Sequence, residues 1–101
     1  SPTTHLSHLI SPLNRSFMYA DRIVKFGERF QGRLESTLLQ GALDYVGYNE
    51  ESLAFEVLCD HICEYDVSIT DEEYREAVQL ALDMGFDLEE GPFKHLKGLK
   101  S

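Results

Sequence analysis

Residues 50–65 constrain the fold more than any other stretch of this 101-residue chain. Placed on a helix at about 100° per residue, Ala54, Val57, Leu58, His61, Ile62 and Tyr65 share one broad face. Phe55, Cys59 and Cys63 extend the apolar surface round its flank. The remaining strip carries Glu56, Asp60 and Glu64 at i, i+4 and i+8, with Leu53 alongside. A helix apolar on most sides has to sit centrally, with other elements packed round it and one narrow wet edge. The three acids repel one another by about 0.2–0.5 kcal/mol per adjacent pair, a cost that motivates a binding role for the edge.

The flanking segments supply helices to surround it. Ala20, Ile23, Phe26 or Gly27, and Phe30 recur at helical spacing between Ser16 and Phe30, leaving Arg22, Lys25 and Arg29 for solvent. A second helix is predicted over Leu34–Val46, with Leu38, Leu39, Ala42, Leu43 and Val46 as its stripe. Gly41 weakens it by about 1 kcal/mol relative to Ala and marks a close helix crossing or a local bend. Gly47 is placed to end this helix and Asn49 to cap the next, with Glu50 and Glu51 suiting the positive end of its dipole.

Thr70-Asp71-Glu72-Glu73 reads as a capping box, with Ile69 and Tyr74 at the positions of a hydrophobic staple. The stripe Tyr74, Ala77, Val78, Ala81 and Leu82 carries that helix to Gly85. Phe86 and Leu88 can tuck back onto the core, and Pro92 can start a last turn bearing Phe93, Leu96 and Leu99, with Lys94, Lys97 and Lys100 on its other side. The expectation is an all-α single domain over residues 1–101: a compact bundle or array of four main helices with a short C-terminal helical turn. Residues 1–14, with Leu6, Leu9, Ile10 and Leu13 as their only anchors, read as a loosely packed arm or a short packed turn.

A chain of this length buries roughly two-thirds of the surface it exposes when unfolded, and 43% hydrophobic residues supply the core. Cys59 and Cys63 stand four positions apart on one helix, where a disulfide would restrain very little. Reduced, buried thiols are expected, which points to a cytoplasmic protein. No stretch approaches the roughly 18 apolar residues of a membrane span, and SPTTHLSHLISPLN has neither the basic lead nor the long apolar run of a signal peptide.

The net charge of −9 is unevenly spread. Residues 44–90 hold fifteen acids against one base, Arg75, while residues 1–43 and 91–101 are mildly basic. A block of this sign opposes nucleic-acid phosphates and favours a basic partner, whose approach it would speed.

Catalytic and metal-binding patterns fail on geometry. His61 points about 160° away from Cys59 and Cys63 on a helix, so the three do not converge on one ion, and no second Cys pair completes a zinc motif. Acidic neighbours raise a thiol pKa, the reverse of what a nucleophilic cysteine needs. Glu56 and Asp60 have the spacing of a carboxylate pair, which ordinary solvent-facing acids share. Gly27-x₄-Gly32 lacks the Lys-Ser or Lys-Thr of a phosphate loop, and Asp60–Asp71 lacks the turn glycine of a calcium loop. No enzyme activity, cofactor, metal or membrane contact is expected. The residues best placed to meet a basic partner are Glu56, Asp60, Glu64, Tyr65, Asp66, Asp71, Glu72 and Glu76, with Tyr65 as the aromatic at the interface edge.

The run Asn49-Glu50-Glu51-Ser52-Leu53-Ala54-Phe55-Glu56-Val57-Leu58-Cys59-Asp60, continuing through Ile62, Glu64-Tyr65-Asp66 and Ile69-Thr70-Asp71-Glu72-Glu73-Tyr74, resembles the MafI-like family of bacterial immunity proteins. Phe30-Gln31-Gly32-Arg33-Leu34 and Leu82-Asp83-Met84-Gly85-Phe86 extend the resemblance over roughly residues 17–86. The family pattern G-E-x-x-L-A-x-E-x-L is partly kept, with Tyr48-Asn49 standing between Gly47 and Glu50. The resemblance implies a small cytoplasmic helical protein that binds one cognate toxin nuclease, such as a cationic RNase of a polymorphic or contact-dependent inhibition system. Glu56, Asp60, Glu64, Asp66, Asp71 and Glu72 match the family's acidic positions and would cover the toxin's cleft or an exosite beside it. The alternative class is a regulatory or adaptor domain that binds a basic protein or peptide without inhibiting an enzyme. A DNA mimic is a narrower variant, requiring acids spaced like phosphates over an extended face.

Overall fold

Among the described residues, burying the apolar stripes against one another gives five helices. A computed structural model describes residues 19–101, with α1 at Ala20–Glu28, α2 at Ser36–Gly47, α3 at Glu51–Glu64, α4 at Asp71–Asp83 and a short α5 at Phe93–Leu96. A 3₁₀ turn, Lys97–Leu99, follows α5 directly. The described residues are all-α, with four main helices and a C-terminal turn beginning after Pro92. The expected helix start at Ser16, and the arm carrying Leu6, Leu9, Ile10 and Leu13, lie outside the described residues.

The central element is α3. It packs against α1, α2 and α5, while α4 packs on α1 and α5. Its buried face is Ala54, Phe55, Leu58, Cys59 and Ile62. Phe55 is the hub, its ring 6.0 Å from Phe26, 5.7 Å from Phe93 and 6.1 Å from Phe86. Aromatic pairs of this kind add about 0.5–1.5 kcal/mol each beyond area burial.

This face is rotated from the one periodicity predicts. Phe55 and Cys59, expected on a flank, are fully buried, whereas Val57 and His61 are half-buried and Tyr65 is 55% exposed. The C-terminal layer of Phe86, Phe93 and Leu96 covers that flank and draws the helix round. On α4 the correction is similar: Leu80 joins Ala77 and Ala81 in the core, and Leu82 is exposed.

Helix ends explain several residues that the sequence reading placed elsewhere. Asn49 is not the cap of α3. It adopts the left-handed conformation at φ 66° and closes α2, with its amide on the Val46 carbonyl and the Glu50 amide on that of Tyr45. This is a Schellman ending, and Asn tolerates the left-handed conformation better than most residues. The same pattern ends α3 at Asp66, φ 52°, with the Val67 amide bonding to the Ile62 carbonyl. It also ends α4 at Gly85, φ 86°. Glu50 stands at the N-cap of α3 without a side-chain capping bond, and Glu35 caps α2 by accepting from the Thr37 amide at 3.0 Å.

The close approach between helices occurs at Gly27, where an added Cβ would lie 2.9 Å from a Leu43 methyl; around Gly41 the space is open.

The predicted capping box of α4 is present. The Glu73 amide donates to Thr70 Oγ1 at 3.0 Å, and the Thr70 amide donates to Glu73 Oε1 at 2.9 Å. Glu73, only 4% exposed, also receives both terminal nitrogens of Arg33, at 3.0 and 2.7 Å. Arg33 donates further to the Ser68 and Arg29 carbonyls and lies 4.6 Å from the Phe30 ring centre. These bonds to the guanidinium hold the Glu73 carboxyl below its usual range.

Glu51 turns away from its own helix start. Its Oε1 accepts from the Tyr19 amide, ahead of α1, at 3.3 Å, and burial raises its pKa. At the other end of the chain, the Ile69 amide donates to the Leu99 carbonyl and the Ser101 amide donates back to Ile69, tying the tail to the α3–α4 link.

Candidate functional site

The acids read from the sequence as one surface fall into two groups. Glu56, Asp60 and Glu64 lie exposed along the outer edge of α3, and Asp66 follows at its left-handed end. Among the described residues, none of these four has an ion-pair partner.

The acids of α4 are paired within the fold. Arg29, projecting from the end of α1, lies 3.6 Å from Glu72 and 3.4 Å from Glu76. Asp71 accepts from Arg75, one turn along its own helix, and from Lys100 Nζ at 3.1 Å. Hydrogen bonds from Arg75 and then Lys100 lower the Asp71 pKa. Lys100 also sits 4.9 Å from the Tyr74 ring centre. The charge in the first turns of α4 is therefore largely spent on joining α4 to α1 and to the tail.

The α3 edge forms one wall of a groove. Its upper part, about 460 Å³, is lined by Leu53, Glu56, Val57, Asp60 and Cys63 on α3 and by Gly91, Pro92 and His95 opposite. Its lower part, about 640 Å³, shares Asp60, Cys63 and His95 and adds Glu64, Asp66, Gly98 and Leu99. Cys63 joins the two walls by donating its thiol to the Pro92 carbonyl at 3.2 Å. The far wall is nearly bare of side chains at Gly98, where nothing lies within 4 Å of an added Cβ.

Tyr65, Asp71, Glu72 and Glu76 do not line this groove. Tyr65 instead stands beside His61, ring centres 6.3 Å apart. Leu53, 38% exposed, was legible as part of the edge, since it stands one turn before Glu56. His95, Gly98 and Leu99 had no such local signal.

The chemistry of the groove is that of a surface for cations. Both cysteines are free thiols. Burial, reinforced by Asp60 and Asp66, pushes Cys63 up to about 11, and burial holds Cys59 well above the ordinary thiol value. Neither therefore supplies a thiolate at neutral pH. Among the described residues, no three His, Cys, Asp or Glu side chains are grouped to hold a metal ion, and no helix is long and apolar enough to cross a membrane. Comparison of the chain with models of protein families, with characterised proteins and with solved structures gives no match.

Proposed function

We propose that this chain is an immunity-type inhibitor that binds a cognate toxin nuclease with a basic surface, a cationic RNase above all, and blocks it with the acidic edge of α3. The observation that carries the reading is the contrast in pairing. Glu56, Asp60, Glu64 and Asp66 line a groove whose far wall presents His95 but no Lys or Arg among the described residues, while the acids of α4 are engaged by Arg29, Arg75 and Lys100.

Four unpaired acids on one rim raise the local concentration of a basic partner and speed its encounter. Bound across a cationic substrate cleft, they would occupy the positions that attract RNA phosphates. Ion pairs buried in such a contact add little net affinity, because both ions lose hydration. Choice of partner then rests on apolar and hydrogen-bonding fit, for which Leu53, Val57 and Leu99 are available in the groove. The resemblance of residues 49–74 to the immunity family is what makes a nuclease, rather than any basic protein, the proposed target.

The test is to identify a protein that co-purifies tightly with the chain and to assay its nuclease activity with and without a stoichiometric amount of the chain. Inhibition of a basic nuclease is expected. A neutral or acidic partner, or full activity in the presence of the chain, sinks the proposal; binding without inhibition would make the chain an adaptor.

A further inference from the structure

The groove's shape narrows the kind of segment that can occupy it. Leu53, Glu56, Asp60 and Glu64 fall on one stripe of α3, and successive acids are four residues apart, a rise of about 6 Å. A second helix laid alongside presents side chains at i, i+4 and i+8 with the same rise, so three rungs stay in register. An extended strand presents one face every second residue, about 6.6–6.8 Å apart, and drifts from the acids with each step.

The groove has apolar as well as charged contacts. Leu53 stands at its upper end, and Val57, Pro92 and Leu99 contribute along it. Gly98 leaves the far wall open, with nothing within 4 Å of an added Cβ, which lets a backbone approach closely; at Gly91 the Glu56 carboxylate lies 3.9 Å from that position. Lys94, Lys97 and Lys100, each next in sequence to a residue of the far wall, do not line it.

Resting on the reading of the chain as a binder of a basic protein, we infer that the groove between α3 and the C-terminal turn receives an amphipathic helix of that partner. The helix carries Lys or Arg at three positions four residues apart and an apolar residue beside the first of them. The cations meet Glu56, Asp60 and Glu64, and the apolar residue meets Leu53. This is the helix-in-groove mode with charges as the repeating anchors.

The experiment uses labelled Ala-rich peptides of about fifteen residues, long enough for marginal helicity. One bears Leu and three Lys in the spacing above. A second has the same composition with the Lys residues adjacent, and a third is the spaced peptide with a central Pro. Binding is read by fluorescence anisotropy and helicity by circular dichroism.

The spaced peptide is expected to bind at least tenfold more tightly than either control and to gain helicity on binding. Gly98→Leu, which puts a side chain on the far wall at a position where nothing lies within 4 Å of an added Cβ, should weaken the spaced peptide at least tenfold while leaving the melting temperature unchanged. Equal binding of the peptides, no binding of any, or an unaffected Gly98→Leu overturns the helix inference. Those results leave the inhibitor reading intact, because that reading stands or falls on the charge of the co-purifying partner and on the nuclease assay.

Discussion

The acidic edge of α3 and the acidic start of α4 are built from the same residue types, yet only one of them presents unspent charge. On α4, Asp71, Glu72 and Glu76 face Arg75, Lys100 and Arg29, and Glu73 is enclosed by Arg33. On α3, Glu56, Asp60 and Glu64 face a groove whose opposite wall offers Gly91, Pro92, His95 and Gly98. Charge counted along a sequence is thus a poor measure of charge available to a partner. What decides it is which bases the fold brings alongside.

The contrast can be broken most forcefully at Glu73. Glu73→Ala should cost roughly 3 kcal/mol in urea unfolding, the low end for a broken buried pair, because Arg33 keeps part of its side chain in water. Because the folded carboxyl titrates below its unfolded value, its contribution is complete above the unfolded pKa and is lost as pH falls through the folded one. The substituted chain should lack that part of the acid-side loss of stability. An unchanged unfolding midpoint would show the Arg33 pair to be incidental.

Reversing the α3 edge instead should spare the fold and remove binding. The triple substitution Glu56→Lys, Asp60→Lys and Glu64→Lys is expected to weaken a basic partner at least tenfold, about 1.4 kcal/mol, and to flatten the salt dependence of association. Unchanged affinity in titration calorimetry would remove these residues from the interface. The matching reversal on α4, Asp71→Lys with Glu72→Lys, should do the opposite. Stability falls slightly, since exposed pairs contribute little, and partner affinity changes less than with the α3 triple.

Asp60→Asn tests the smallest effect. It relieves two neighbouring repulsions and should stabilise the chain by about 0.2–0.5 kcal/mol for each. Destabilisation on thermal melting would mean that Asp60 has a structural partner.

Much of the helical framework was legible because local signals agreed. Thr70 and Glu73 form the box their spacing announced, and Gly85 ends α4 where expected. Asn49 misled because only three residues separate α2 from α3, so a residue suited to capping one helix is equally suited to closing the other. The rotation of α3 towards Phe55 depends on Phe86 and Phe93, some thirty or more residues downstream, and periodicity within α3 has no access to them. For the candidate site, the acids and Leu53 were readable on their own helix. The far wall and the pairing of Arg29 with α4 come from tertiary contacts between segments that carry no shared local pattern.

The pairing of Ile69 with Leu99 and Ser101 gives the groove a lifetime as well as a shape. The last residues, held by a few peripheral backbone bonds, can open at less free energy than global unfolding. Whenever they lift, Gly98 and Leu99 leave with them while Phe93 and Leu96 stay in the core, and the lower part of the groove loses its far wall. A ligand that requires both walls then sees its apparent affinity divided by the fraction of time the clasp is shut. Amide exchange at Ile69 and Ser101 would follow the same opening, making two backbone protons a gauge of how ready the groove is to bind.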